Sequence, residues 1–300
     1  MKEKMTFGAL LMTLVLMANS ALAAPIFGAG HLDTPGTQRT LALPEAADGA
    51  PIISLGSAID PESGKVVEGY AIFAKGGIPG KPDRPGDGGD SGDDSKYYDF
   101  LAKGAKWRTV ESWLLNPENN GGLPYGEEDP FNNNVPPSLS FAFTTVDYSI
   151  FKWEDAADGA VDSSAHTDIL GYGTETYDVL AADLDAPDGK NEVYFADISE
   201  SGAIGVTIVW GVFGGPPQSR ELIEWDQVYD DADYAWSTSG EAGKMDFENI
   251  ATHELGHSVG LADLYQPEHA EQTMYGYADL GETKKQTLEG GDIAGVSTLY

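Results

Sequence analysis

The segment Asn249–Asp263, NIATHELGHSVGLAD, constrains this chain more than any other stretch. It spaces His253, Glu254, His257, Gly260 and Asp263 in a pattern that only a helix followed by a sharp turn can use. Residues four apart on a helix share a face, so both imidazoles can point at one ion. Two neutral imidazoles suit Zn2+. Glu254 follows the first histidine and can reach the open coordination position, where it can take a proton from water. Gly260 can adopt the left-handed conformation that ends a helix and reverses the chain. Such a turn brings Asp263 back towards the ion as a third ligand. Three protein ligands and one open position are the layout of a catalytic zinc site rather than a closed structural one. Asp263 can also be read as a plain loop carboxylate. Its rival as third ligand is His269, the other nearby imidazole, and the glycine turn favours Asp263. His31 and His166 stand alone and read as ordinary surface or core histidines.

The elements around this helix follow from periodicity. Apolar residues at Leu139, Ala142, Phe143, Val146, Ile150 and Trp153 recur at steps of three and four, which predicts a helix over 138–156. Pro136-Pro137 precedes it. Runs 107–115, 192–198, 205–212 and 221–229 are rich in β-branched and aromatic residues and read as strands, as do 51–55 and 66–74. Helices are expected over 246–259 and 292–299. One helix, several strands and two closing helices predict an α+β domain over 96–300.

Composition removes whole classes of function. The 300 residues carry 17 basic and 49 acidic side chains, a formal charge of −32, and no cysteine. No disulfide scaffold, thiolate ligand or cysteine nucleophile is therefore available. Phosphate binding needs clustered Lys and Arg, so nucleic acid is excluded as the expected partner, and an anionic membrane surface would repel the chain. Lys2 and Lys4, the apolar run Phe7–Ala18 and Ala21-Leu22-Ala23 predict a secretory signal peptide over 1–23, cut before Ala24. The alternative for that segment is an N-terminal anchor. A secreted, extracellular protein without membrane insertion after cleavage is expected. Residues 24–95 form an N-terminal segment. It ends in an acidic Gly/Pro run, KPDRPGDGGDSGDD, that reads as a linker. Asp183, Asp185, Asp188 and Gly189 have the short acidic spacing that oxygen-ligand sites use, a candidate for structural Ca2+ or simply an acidic surface turn.

HELGHSVGLAD followed by Thr273-Met274-Tyr275-Gly276 resembles the metzincin clan of zinc endopeptidases. Ile250–Leu261, Met274-Tyr275 and Leu288–Tyr300 resemble the active-site helix, Met-turn and closing helix of its matrixin branch. The resemblance is strong over 246–300 and loose over 100–245. It implies a metzincin-like catalytic domain with a twisted mixed sheet. It also implies Zn2+ on His253, His257 and Asp263, with Glu254 as general base. Met274 would lie under the ion without binding it, and Tyr275 and its neighbours would wall the pocket. A strand near 204–212 would hold an extended protein or peptide substrate. Many matrixins carry a third histidine where this chain has Asp263. The cysteine that commonly keeps matrixins latent has no counterpart, so a pro-segment within 24–95 would act by another ligand or by blocking the cleft. A monomer is expected. The alternative function is a catalytically inactive zinc-containing binding or adhesion module at the cell surface, against which the intact Glu254 argues.

Overall fold

The computed structural model describes residues 39–44, 50–76, 97–124, 139–162 and 167–300. The expected signal peptide, the acidic run 81–95, Pro136-Pro137, His31 and His166 lie outside the described residues. The described residues fall within one compact unit, Gln38–Tyr300. Its fold is α+β, as the sequence predicts.

Strands β1 (Thr40–Leu41), β2 (Ile52–Ile59), β3 (Val66–Gly76), β4 (Asp99–Phe100) and β5 (Trp113–Leu115) precede helix α1 (Phe141–Ala156). Then come β6 (Gly173–Glu175), β7 (Asn191–Ile198), β8 (Ala203–Val212), β9 (Glu221–Asp230), β10 (Trp236–Ser237) and β11 (Met245–Asp246). Helix α2 (Phe247–Ser258), β12 (Leu261–Ala262), β13 (Tyr277–Ala278) and helix α3 (Gly290–Leu299) complete the chain.

Helix boundaries follow local chemistry. Ser140 caps α1 by accepting from the Phe143 N–H at 3.1 Å, so the helix starts at 141 rather than 138. Asp246 caps α2 through the Asn249 N–H at 3.0 Å. Glu289 and Asp292 form a reciprocal capping box that starts α3 two residues before the expected position. The run expected as a strand over 107–115 is a strand only at 113–115. Trp107 instead donates its indole N–H to Ser258 O at 2.7 Å and covers the end of α2.

The main sheet has nine strands, ordered β13-β3-β8-β9-β7-β5-β6, with β2 on β3 and β1 on β7. It is mixed: β9, β7, β5 and β6 run parallel, and β8 is antiparallel to both β9 and β3. Side chains alternate between its faces. In β3, Ile72 and Ala74 join the core shared with the three helices, while Val67, Ala71 and Phe73 join the core of the opposite face. Complete burial of Ile72 and Phe73 is worth about 1.5–3 kcal/mol each. Strand β8 is thus buried on both faces and paired along both edges. The sequence leads one to expect a strand near 204–212 to hold an extended substrate; in the structure β3 pairs with that edge. The sequence reading draws a boundary at residue 95, whereas β2 and β3 from its N-terminal side complete the sheet.

Candidate metal centre

Helix α2 carries His253, Glu254 and His257, all fully buried. The His253 Nδ1 lies 2.7 Å from Thr273 O, and the His257 Nδ1 lies 2.9 Å from Leu261 O. Each backbone carbonyl can only accept, so each ring carries its proton on Nδ1 and presents an Nε2 lone pair. Gly260 has φ +107°, the left-handed turn the sequence predicts. The chain then reverses, and Asp263 Oδ1 arrives 3.3 Å from His253 Nε2 and 3.5 Å from His257 Nε2. Tyr265 donates its hydroxyl to the other carboxylate oxygen at 2.7 Å and fixes its rotation.

The two Nε2 atoms and Asp263 Oδ1 are buried and have no hydrogen-bond partner. One ligand atom from each residue lies within 4.8 Å of the others. Buried polar atoms are almost always paired, so three converging orphans fit a cation and leave apolar packing as a poor account. Two imidazoles and one carboxylate are a donor set that suits Zn2+. His269 does not join this group. It packs edge-on against Tyr97, with ring centroids 5.2 Å apart.

Glu254 lies between α2 and the sheet. Its Oε2 accepts the Thr207 hydroxyl at 2.5 Å, and its Oε1 accepts the Ala74 N–H at 3.3 Å. Burial pushes its carboxyl up to about 8, against the pull of those hydrogen bonds. Burial, with Lys285 nearby, pushes His253 down to about 4. Burial also acts to raise Asp263, but His257, His253 and Tyr265 outweigh it and hold the carboxylate below its ordinary range.

The loop beneath the site is tied to its surroundings. Met274 is buried, and a Cβ at Gly256 would overlap its sulfur and come within 2.9 Å of Trp153. Glycine between Leu255 and His257 therefore lets the loop lie against α2. Asp292 accepts from the Thr273 N–H at 2.9 Å and the Met274 N–H at 3.2 Å, pinning the loop to α3. Leu264 N–H donates to Met274 O at 2.8 Å, which joins the Asp263 turn to the same loop.

Two residues escape a motif-based reading. Tyr265 lies two positions past Asp263, and only the turn makes it a partner. Lys285 is buried, and its ammonium donates to the carbonyls of Tyr275 and Tyr277, the latter at 2.8 Å. Burial pushes it down to about 8. No sequence pattern marks it.

A second acidic group lies away from this centre. Asp183 comes together with Asp188 and Glu192, and also with Glu224 and Asp226 of β9. Asp185 joins neither group. Asp183 Oδ2 and Glu224 Oε1 are buried without partners.

Residues 219–300 match the family model described as Matrixin. No curated protein matches the chain significantly. Together with the geometry above, the match supports a matrixin-like metalloprotease, a hydrolase of the metzincin type.

Proposed function

We propose that this chain is a secreted zinc-dependent endopeptidase acting on protein or peptide substrates as a monomer. In this reading His253, His257 and Asp263 hold the ion and Glu254 is the general base. The observation that carries the reading is the convergence of three orphaned ligand atoms, two of them on imidazoles whose tautomers are already fixed. A zinc ion held there would supply Lewis acidity for a scissile carbonyl and for water. Glu254 would accept the proton of the attacking water and pass it to the leaving amine. Asp263 completes the ligand set, and Tyr265 keeps its Oδ1 aimed at the histidines. Export is supported by the N-terminal sequence pattern, and no helix among the described residues is long and apolar enough to cross a membrane.

The test is zinc content by atomic absorption on the full chain after dialysis. One zinc per chain is expected, lost to chelator together with any peptide hydrolysis. A chain that takes up no zinc overturns the reading.

The acidic group supports a structural Ca2+ site on Asp183, Glu224 and Asp226. Glu224 is nearly fully buried, yet its Oε1 has no partner, and three carboxylates within 4.8 Å repel one another unless a cation or protons intervene. Burial, with Asp183 adjacent, pushes Glu224 up to about 8 in the absence of an ion. Calcium should raise the unfolding midpoint of the wild type and leave that of Glu224→Gln unmoved. An equal shift in both proteins removes this site.

A further inference from the structure

Strand β3 runs beside Glu254, between β8 and β13. It runs antiparallel to β8, with Ala74 opposite Gly205 and Ile72 opposite Thr207. It runs parallel to β13, with Lys75 opposite Tyr277 and Gly76 opposite Ala278. Its Ala74 N–H donates to Oε1 of Glu254, the carboxylate read as the general base. Its Lys75 N–H donates to Gly276 O at 3.4 Å, and a Cβ on Gly276 would stand 3.1 Å from Asp263 Cγ. The Lys75 ammonium is fastened to Glu200 at 3.0 Å. With β3 in place, His253, Glu254 and His257 have no exposed surface and the Asp263 side chain is 1% exposed.

An extended peptide binds a sheet edge through the backbone hydrogen bonds of an added strand. The edge of β8 nearest Glu254 and the edge of β13 are the two such edges here, and β3 pairs with both. We propose that β3 is an autoinhibitory strand: it fills the channel between β8 and Tyr277–Ala278, and the metal centre stays closed until β3 is displaced. What enters the channel rests on the endopeptidase reading; that β3 closes the metal centre does not. The proposal gives the N-terminal segment a means of latency that needs no cysteine. It pairs with the cleft and covers both the base and the ligands.

Gly69 offers a way to lift β3 without touching the site. A Cβ there would fall 2.6 Å from the ring of Trp210 on β8, and that ring is held by its own indole N–H, donated to Asp183 O at 2.8 Å. The experiment uses the full, zinc-loaded chain as wild type and as Gly69→Val. Three quantities are read: zinc release to a chromogenic chelator, hydrolysis of a quenched-fluorescent peptide, and hydrogen exchange of the 66–76 amides. Both rates scale with the open fraction, so Gly69→Val should raise each by about tenfold or more, with faster exchange in β3. If Trp210 absorbs the valine and β3 stays protected, Ala71→Glu, which buries a charge beneath the same strand, takes its place. Faster zinc release with no hydrolysis by either protein leaves the closure standing and removes the endopeptidase reading. Two results overturn the closure. One is β3 exchange that rises while zinc release does not. The other is a wild-type chain that hydrolyses the peptide as fast as the variant with β3 still protected.

Discussion

Glu254→Gln should remove peptide hydrolysis, by on the order of 10²–10⁴-fold, and leave zinc content at one per chain. The substitution keeps the shape of the side chain and an acceptor for the Thr207 hydroxyl, but it has no proton-accepting carboxylate. It leaves His253, His257 and Asp263 intact, so metal retention separates a lost base from a lost site. The comparison belongs in both the wild-type and the Gly69→Val background, and hydrolysis that persists in either sinks the general-base role. The same variant makes a prediction about the metal-free protein. Burial raises the folded-state Glu254 to about 8, against an ordinary value of 4.5. Between those values the folded state binds a proton that the unfolded state has lost, so stability falls as pH rises. His253 pulls the other way from about 4 up to its ordinary 6.5, where the unfolded state is the one holding the extra proton. The two slopes oppose each other below pH 6.5; from there to about 8 Glu254 acts without His253, and the slope of the same sign from Glu224 cancels in a comparison with Glu254→Gln. Denaturant titrations of the chelated protein should therefore show the wild type losing stability relative to Glu254→Gln over that upper window. A difference that stays flat with pH would mean that Glu254 is ionised in the metal-free fold.

The convergence of His253, His257 and Asp263 is legible in the sequence because its information is local. His253 and His257 are one helical turn apart, and Gly260 alone signals the reversal that delivers Asp263. The core strands at 191–198, 203–212 and 221–230 were legible for a similar reason: long apolar, β-branched runs bounded by turn residues. The partners of those strands were not. Residues 52–59 and 66–76 read as β-structure, but nothing within them shows that Ala74 pairs with Gly205. Pairing across so much chain is set by the packing of both faces and by register. The N-terminal segment therefore reads as detached in sequence, whereas β3 lies inside the sheet, with β2 beside it and β1 on β7. Glu224 and Asp226 were hidden differently. They are two of the four acidic residues of β9, two positions apart and so on one face, a signal that points inward only once the loop carrying Asp183 is seen to cover them. Lys285 carried no signal because its partners are backbone carbonyls, which any residue type supplies.

Stripping zinc should destabilise the wild type, and His257→Ala should abolish that response. At a free zinc concentration about 100 times the dissociation constant, binding to the folded state alone contributes about 2.7 kcal/mol. For a chain of this size that corresponds to a fall in unfolding midpoint of roughly 4–5 °C on chelation. Without the ion, His253 Nε2, His257 Nε2 and Asp263 Oδ1 are left facing one another in a pocket that solvent does not reach, with no other partner to satisfy them. That is why the ligand set, rather than the helix carrying it, should set the size of the effect. His257→Ala removes one donor and leaves a small cavity, so its midpoint should lie below that of the zinc-loaded wild type and stay put when zinc is added or removed. The acidic group at Asp183, Glu224 and Asp226 makes the control sharp. If zinc stabilises His257→Ala as much as it does the wild type, the ion resides there instead, and the assignment of His253, His257 and Asp263 as its ligands fails. If the response disappears in His257→Ala and persists in Glu224→Gln, the stabilising ion is the one held by helix α2 and the turn at Gly260.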